Sequence, residues 1–202
     1  MSNIIGIDLG TTNSVMARLD DIGRPAIVHN KEGANITPSA VEIDGETIMV
    51  GLEPKKNARF KNNVFLEFKR NMGTSKTYEL AGKSFTPTEL SSFVLKKMIK
   101  DAEQKLGKID ELIITTPANF TNEARAATIK AGTLAGMDVK HIINEPTAAA
   151  LFYVFDKELT PGKYAVYDLG GGTFDLSIVE INGQDIKVLT SLGIASLGGK
   201  DF

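Results

Sequence analysis

The chain has 202 residues, of which 42% are hydrophobic and 24% are charged, so it can bury a sizeable core and is not disordered. Its net charge of −2 gives no long-range attraction to nucleic acid or anionic lipid, and its lysines and arginines occur in short pairs. The absence of cysteine excludes disulfides and thiolate metal sites. The N-terminus has no signal-peptide pattern, and no apolar run approaches the ~18 residues of a membrane span. We therefore expect a cytoplasmic protein without nucleic-acid or membrane partners.

Three strands are predicted at the start of the chain. Residues 4–8 and 14–19 are apolar runs joined by the polar turn Gly10-Thr11-Thr12-Asn13, and residues 26–28 form a third run after Gly23-Arg24-Pro25. Turn residues between short apolar runs indicate an antiparallel meander.

Residues 31 to about 109 are predicted to form an inserted subdomain with its own structure. Two short apolar runs flank Asp44-Gly45, which is a strong hairpin signal because glycine tolerates the positive φ of a tight turn. Thr86-Pro87-Thr88-Glu89 is a capping box with proline at the first helical position, and Gly107 is a plausible end for the helix that follows.

Strand and helix then alternate. We predict a strand at 111–115, a helix at 121–134, a strand at 139–143 and a helix from Pro146, an order that implies parallel pairing. The fold class is therefore α/β. Residues 1–160 are predicted to form a first lobe with a mixed five-stranded sheet flanked by helices.

The pattern restarts from residue 161. Strands are predicted at 164–168, 173–181 and 185–191, which repeats the opening meander. Asp168-Leu169-Gly170 repeats Asp8-Leu9-Gly10 at a separation of 160 residues, each time after a strand-like run. Residues 161–202 are expected to be the opening strands of a truncated second lobe, in a chain that is a piece of a larger protein.

The two repeated turns are candidates for binding a polyphosphate and its metal. A glycine loop lets phosphate oxygens approach backbone N–H groups without a Cβ in the way, and threonine adds hydroxyl donors. Asp8 and Asp168 end their strands and are placed to hold a hydrated Mg²⁺. The candidate phosphate-binding residues are Gly10, Thr11, Thr12, Asn13, Gly170, Gly171, Gly172 and Thr173.

Each of these features also has a purely structural interpretation. One glycine turn alone is most often a hairpin, and no Gly-Lys-Ser/Thr follows, so this is not a P-loop; the duplication is what favours phosphate binding. Glu145 could complement a helix dipole or face a metal-phosphate cluster. Lys69 could be a surface cation or a clamp on the γ-phosphate. Asp175 lies two residues past Thr173, so a strand would place both on one face.

Three long motifs resemble the DnaK-type heat-shock chaperones, and the resemblance runs along essentially the whole chain. They match the family's first phosphate, connecting and second phosphate motifs in order. The three motifs are residues 7–14, residues 143–151 and residues 168–175. Shorter matches include Thr37-Pro38-Ser39, Phe68-Lys69-Arg70 and the final six residues.

This resemblance implies an actin-like ATPase domain with a ribonuclease-H-like sheet in each lobe, which binds ATP or ADP with Mg²⁺ and K⁺. The two turns would contact phosphates, and Asp8 and Asp168 would serve the cations. The implied catalytic residues, which position the attacking water and stabilise the transition state, are Lys69, Glu145, Thr173 and Asp175.

The resemblance also implies a function in protein folding and the stress response. Unfolded or hydrophobic peptides would bind through a C-terminal domain that this chain lacks, with a J-domain co-chaperone and a nucleotide-exchange factor as partners. Pro117 and Arg125 match positions that link the nucleotide state to that domain. Asn119 and Ile129 replace a tyrosine and a lysine usual in that stretch, and the insertion after Arg70 is short.

Two alternatives remain. An actin-like filament or cell-shape ATPase uses related motifs, although Lys69 within Phe-Lys-Arg favours the chaperone. A sugar kinase would need a sugar-site signature, which we do not find. We expect the isolated chain to be inactive or nearly so.

Overall fold

The computed structural model describes residues 3–157, 160–183, 185–194 and 197–202. The chain divides into two compact units. The first unit holds residues 1–114 and 121–142, and the second holds residues 115–120 and 143–202. The predicted lobe boundary at residue 160 stays a prediction.

Up to residue 106 the described elements are mostly strands. They are β1 (Ile4–Asp8), β2 (Asn13–Leu19), β3 (Pro25–Ile27), β4 (Ile36–Pro38), β5 (Ala40–Asp44), β6 (Thr47–Val50), α1 (Leu52–Asn57), β7 (Val64–Leu66), a 3-10 helix (Phe68–Asn71), β8 (Tyr78–Leu80), β9 (Lys83–Phe85) and α2 (Pro87–Leu106). The later elements are β10 (Glu111–Thr116), α3 (Asn122–Leu134), β11 (Val139–Asn144), α4 (Glu145–Lys157), β12 (Gly162–Leu169), β13 (Phe174–Asn182), β14 (Asp185–Ile194) and a 3-10 helix (Gly199–Asp201).

The main sheet is mixed, as predicted. Its order is β11-β10-β1-β2-β3, in which β1 is parallel to β10 and antiparallel to β2. A sixth strand, β4, pairs with β2, which the sequence interpretation of five strands missed. β4 has only three residues, which is too short to show an alternation of apolar and polar side chains. It also ends in a proline, which has no N–H to donate to a sheet. The segment at Ile36–Pro38 therefore belongs to the main sheet as well as opening the predicted insertion.

Strand pleating explains how β1 orients its side chains. Ile5 and Ile7 are completely buried, whereas Ile4 and Asp8 are exposed on the opposite face. Successive side chains point to opposite faces of a strand, so a buried isoleucine at every second position fixes the register. This alternation places Asp8 at the strand end with its carboxyl group accessible.

The helix α2 forms as its capping signals predict. The Thr86 side chain accepts a hydrogen bond from the Glu89 backbone N–H, and the Glu89 side chain accepts one from the Thr86 backbone N–H. Leu90, Val94 and Met98 are completely buried on one face, and α2 packs against α3, β5 and β6. Spacings of three and four residues bring such side chains onto one stripe of a helix. Gly107 follows the last turn, as expected.

The second unit contains the second meander. β12, β13 and β14 are consecutive antiparallel strands, and α4 packs against them. β12 and β14 are longer than predicted, whereas β13 has the predicted length and is shifted by one residue. Ala150, Val179 and Ile181 form the buried centre of this packing. Among the helices that the structure describes, none combines the length and apolar character that a membrane crossing requires.

Candidate functional site

The first glycine turn connects β1 to β2 and is closed by its own backbone. A Cβ on Gly10 would collide with the carbonyl oxygen of Asn13, so this close approach requires glycine. Thr11 is buried, and Thr12 and Asn13 are half-buried. The turn is therefore compact, and its backbone is fixed before any ligand arrives.

Two buried serines hold this turn in place. The Gly10 N–H donates to Ser14 Oγ at 3.2 Å, Ser14 Oγ and Ser39 Oγ are 2.9 Å apart, and the Ser39 hydroxyl donates to the Gly10 carbonyl oxygen at 2.7 Å. Since the one proton of Ser39 goes to Gly10, Ser14 donates to Ser39, which closes a ring of three hydrogen bonds. The Ser39 N–H also donates to the Thr12 carbonyl oxygen at 2.9 Å. Residue 39 thus braces both ends of the turn.

A cation from the inserted subdomain lies beside the same turn. The Lys55 ammonium on α1 donates to Asn13 Oδ1 at 3.4 Å, and its side chain is exposed. Nothing in the sequence distinguished Lys55 from other surface lysines, because its position depends on how α1 packs on the strands.

Lys69 is not a surface cation, because only 7% of its area is exposed. It lies in the 3-10 helix next to Phe68, which is 2% exposed and anchors the segment. Glu67 precedes them in the left-handed region at φ 56°, an uncommon conformation for a residue with a Cβ. The Met72 N–H closes the turn on the Lys69 carbonyl oxygen at 3.1 Å. The lysine is thus directed inward, where a charge is expensive to bury unless it is paired or hydrogen-bonded.

The second glycine turn connects β12 to β13. The Gly170 N–H donates to the Thr173 carbonyl oxygen at 2.8 Å, and the Gly199 N–H donates to the Gly170 carbonyl oxygen at 2.9 Å. Gly172 is buried, and a Cβ on Gly198 would collide with its backbone. The 3-10 helix at Gly199–Asp201 is therefore seated on the turn.

The braces of the two turns occupy equivalent positions. Ser39 follows Gly10 by 29 residues, and Gly199 follows Gly170 by the same interval. Both residues lie in segments that match the family, but the sequence pattern predicts a role for neither. The signal that could have found them was the repeat itself, because a separation of 160 residues maps Asp8 to Asp168 and also Ser39 to Gly199.

Two carboxylates lie opposite each other on the strands that flank the second turn. Asp168 and Asp175 are direct partners in the β12–β13 register, and Asp175 is 7% exposed. The corresponding pair in the first unit is Asp8 and Val15. Like charges directly opposite on neighbouring strands are destabilising unless a cation or hydrogen-bond donors compensate. The second unit therefore has a carboxylate, that of Asp175, at the position where the first unit has Val15.

Thr173 and Asp175 do not lie on one strand as predicted. β13 begins at Phe174, so Thr173 belongs to the turn, where its carbonyl oxygen is needed to close the hairpin.

Glu145 is the first residue of α4 and is half-buried beside the buried Pro146. Both interpretations of Glu145, the dipole partner and the site residue, remain compatible with this position.

The two residues proposed for interdomain signalling lie in different units. Pro117 is buried in the segment 115–120 of the second unit, and Arg125 is half-buried in α3 of the first. Asn119 lies close to Asp175 on the approach to Gly193, since a Cβ on Gly193 would collide with both side chains.

Asp8 and Asp168, each taken within its own unit, are carboxylates of the kind that a hydrated magnesium ion uses. In the part of the chain that the structure describes, no three histidine or acidic side chains converge on a common point. Mg²⁺ is usually held by one or two carboxylates together with water and substrate phosphates, rather than by a full protein cage. The exposed Asp8 and the half-buried Asp168 are carboxylates of that kind.

One comparison with known proteins matches nearly the whole chain. The family model described as Hsp70 protein matches residues 4–81 and 75–202. This match confirms the predicted resemblance at the level of that family and the actin-like ATPase fold, and it favours the chaperone over the filament protein and the sugar kinase. The closer resemblance to DnaK-type members stays a prediction.

Proposed function

Since this chain belongs to the Hsp70 protein family, we propose that its two glycine turns hold the phosphates of ATP or ADP. The family makes the chain part of a chaperone ATPase domain. The proposed phosphate-binding residues are Gly10, Thr11, Thr12, Asn13, Gly170, Gly171, Gly172 and Thr173. Gly10 and Gly170 shape the turns, since their own N–H groups donate to Ser14 Oγ and to the Thr173 carbonyl oxygen, and the N–H groups and hydroxyls of the other residues are the proposed donors.

The matched bracing of the two turns is the observation that carries this proposal. In each turn the carbonyl oxygen of the first glycine is occupied, by Ser39 in the first and by Gly199 in the second. A carbonyl held in this way is not free to turn toward a bound anion, which supports an arrangement in which the N–H groups of the following residues face the phosphates. Preorganised donors of this kind cost no rearrangement when charge develops on a phosphoryl group.

Four side chains are proposed to carry the hydrolysis. Lys69 stabilises negative charge on the γ-phosphoryl group, and its burial supports that role because the charge acts in a water-poor setting. Asp175 and Glu145 position the attacking water, and Thr173 contributes a hydroxyl beside the phosphate turn. The second unit has Asp175 where the first unit has Val15. This difference supports different roles for the two turns, in which both bind phosphate and only the second adds acid–base chemistry.

Asp8 and Asp168 are proposed as the carboxylates that serve Mg²⁺ and K⁺. Bound Mg²⁺ would neutralise the charge of the β- and γ-phosphates. The chain holds each carboxylate at or next to the end of a strand, directly before a Leu-Gly pair. The strand backbone there fixes the direction of the aspartate side chain.

The parent protein is proposed to couple the nucleotide state to the binding of unfolded, hydrophobic peptides. Pro117 and Arg125 would transmit the signal, and a J-domain co-chaperone and a nucleotide-exchange factor would regulate the cycle in the cytoplasm. The support for these finer points is the resemblance of the motifs and the family to which the chain belongs.

We further expect the isolated chain to bind ATP weakly and to hydrolyse it negligibly. Tyr167 and Leu192 are 68% and 75% exposed on the sheet of the second unit, so the element that carries the second turn lacks a cover on that face. Calorimetric titration of these 202 residues with Mg-ATP should show a dissociation constant weaker than about 1 µM. Tighter binding would contradict this expectation.

The phosphate assignment itself is tested by glycine substitutions in the parent protein. Gly10→Ala should abolish ATP binding, because the new methyl group displaces the Asn13 carbonyl and opens the turn. Gly6→Ala is the matched control, since its methyl group would meet nothing closer than 3.9 Å. Equal ATP affinity in the two variants, with both proteins folded by circular dichroism, would contradict the proposal.

A further inference from the structure

A groove of about 490 Å³ lies in the first unit, between α2, β6 and the loop that follows β3. Its floor is apolar and includes Ile48, Val50 and Phe93. The rim includes the exposed lysines Lys31, Lys96 and Lys100. The groove thus combines an apolar floor with exposed positive charge, although the net charge of the chain is −2.

The lysines on α2 form one side of the groove because of helical spacing. Phe93, Lys96 and Lys100 follow each other at three and four residues, which places them on one face. Like charges four residues apart in a helix destabilise it slightly. No carboxylate lies within 4.0 Å of the ammonium groups of Lys31, Lys96 or Lys100 in the segments that the structure describes.

The other side of the groove is the loop that follows β3, and hydrogen bonds and ion pairs hold this loop against α2. Lys97 bridges Glu32 at 3.0 Å and Asp101 at 2.5 Å, and Asp101 also accepts the Lys31 backbone N–H at 3.1 Å. One turn further along α2, Lys105 donates to two carbonyl oxygens of the same loop at 2.9 and 3.1 Å. The groove is therefore preformed, so a partner does not have to order it.

We propose that this groove docks an acidic segment of a partner protein, in which carboxylates alternate with apolar side chains. The apolar side chains cover Ile48, Val50 and Phe93, while the carboxylates meet Lys96, Lys100 and Lys31. A nucleic acid fits less well, because it has no aliphatic side chains to cover the apolar floor. The groove is small, so the contact belongs to the weak, transient class.

The test is fluorescence anisotropy with a labelled peptide in which glutamate alternates with leucine. The whole chain should bind it in the micromolar range, and the affinity should fall as salt screens the lysines. Lys96→Glu together with Lys100→Glu should weaken binding by at least about tenfold. The matched control is Lys108→Glu with Lys130→Glu, which changes the net charge equally at two exposed lysines elsewhere and should change the affinity by less than about twofold.

The apolar half of the proposal has its own comparison. Ile48→Ser removes an isoleucine that is 42% exposed at the groove, and Ile22→Ser removes one that is 72% exposed elsewhere; only the first should weaken binding. A peptide in which glutamate alternates with serine should bind at least about tenfold more weakly than the leucine peptide. The proposal is overturned if that peptide or single-stranded DNA binds as tightly, or if the paired lysine variants behave alike. Nucleotide is absent throughout, so the result is independent of the ATP assignment.

Discussion

Ser39 donates its hydroxyl hydrogen to the carbonyl oxygen of Gly10 at 2.7 Å, across 29 residues of chain. Ser39 is 2% exposed and Ser14, the next member of the ring, is completely buried. Hydrogen bonds in such a buried ring strengthen one another, and removing one member leaves the others unsatisfied. The shape of the first phosphate turn therefore depends on a residue outside it.

Ser39→Ala should weaken ATP binding by the parent protein by about tenfold, because the half-buried Gly10 carbonyl and the buried Ser14 hydroxyl lose their partner at a cost of about 1–3 kcal/mol. The control is Ser92→Ala, which removes a buried hydroxyl that donates at 2.7 Å to the Glu89 carbonyl oxygen in α2. Calorimetry with ATP and thermal unfolding would be compared for both variants. Loss of stability in both with unchanged ATP affinity would make Ser39 a structural residue only.

Lys69→Ala should reduce turnover in the parent protein by about a hundredfold or more while leaving ATP binding nearly intact, since the lysine is proposed to act on charge that develops in the transition state. Single-turnover hydrolysis and equilibrium ATP titration measure the two effects separately. Lys83→Ala, at an exposed lysine of β9, is the control. A loss of binding as large as the loss of rate would instead assign Lys69 to uniform binding.

Asp175→Asn should slow hydrolysis by about a hundredfold or more without lowering the unfolding temperature, because it removes one of two opposed carboxylates. Asp168 and Asp175 are register partners, and relief of like-charge repulsion is worth up to about 1 kcal/mol. Asp185→Asn provides the comparison, since Asp185 is exposed and its register partner is Asn182. A large fall in stability with Asp175→Asn would show that this carboxylate holds the fold together.

Glu42 should make the stability of the first unit depend on pH. Its carboxylate is completely buried; the hydrogen bond from Asn57, at 2.7 Å, and then that from Lys61 lower the pKa of Glu42 below its ordinary value of 4.5. A carboxyl group with a lowered pKa in the folded state stabilises the protein above its unfolded-state pKa, and this stabilisation is lost as pH falls through the folded-state pKa.

The free energy of unfolding should therefore decrease as the pH falls below about 4.5 and through the lowered pKa of Glu42 in the folded state. Urea denaturation across this range should show a shallower pH dependence for Glu42→Gln than for the unmodified chain. Glu53→Gln, at an exposed glutamate paired with Lys56, should keep the original dependence. An unchanged slope in Glu42→Gln would remove Glu42 from the acid response.

The isolated chain should self-associate through the second unit. Tyr167, Leu192 and Ile194 are 68%, 75% and 49% exposed on one sheet, and apolar patches of this kind promote association. Leu192→Glu should lower the apparent mass in analytical ultracentrifugation. Phe60→Glu, at an 86% exposed phenylalanine in the first unit, should not, and equal effects would point to nonspecific aggregation.

Periodic and turn signals predicted most of the elements, because they depend on neighbouring residues. The Thr86 capping box, the Asp44-Gly45 hairpin and both meanders were confirmed. Strand β4 was missed, since its pairing with β2 depends on residues distant in sequence. The burial of Lys69 could not be predicted for the same reason, because its position depends on Phe68 entering the core.

The sequence by itself determined that Asp-Leu-Gly occurs twice, 160 residues apart, after similar strands, and from this followed two glycine turns with a carboxylate before each. Only the tertiary structure decided what holds those turns. Ser39 reaches Gly10, and Gly199 reaches Gly170, because folding brings a later segment of chain against each turn. Only the register of β12 and β13 placed Asp175 opposite Asp168. At the equivalent position of the first unit, Val15 lies opposite Asp8. Local sequence patterns specify the conformation of a few neighbouring residues. The hydrogen bonds that hold the two turns and the pairing of Asp168 with Asp175 are contacts between segments that are separate in the sequence, so a local pattern does not predict them.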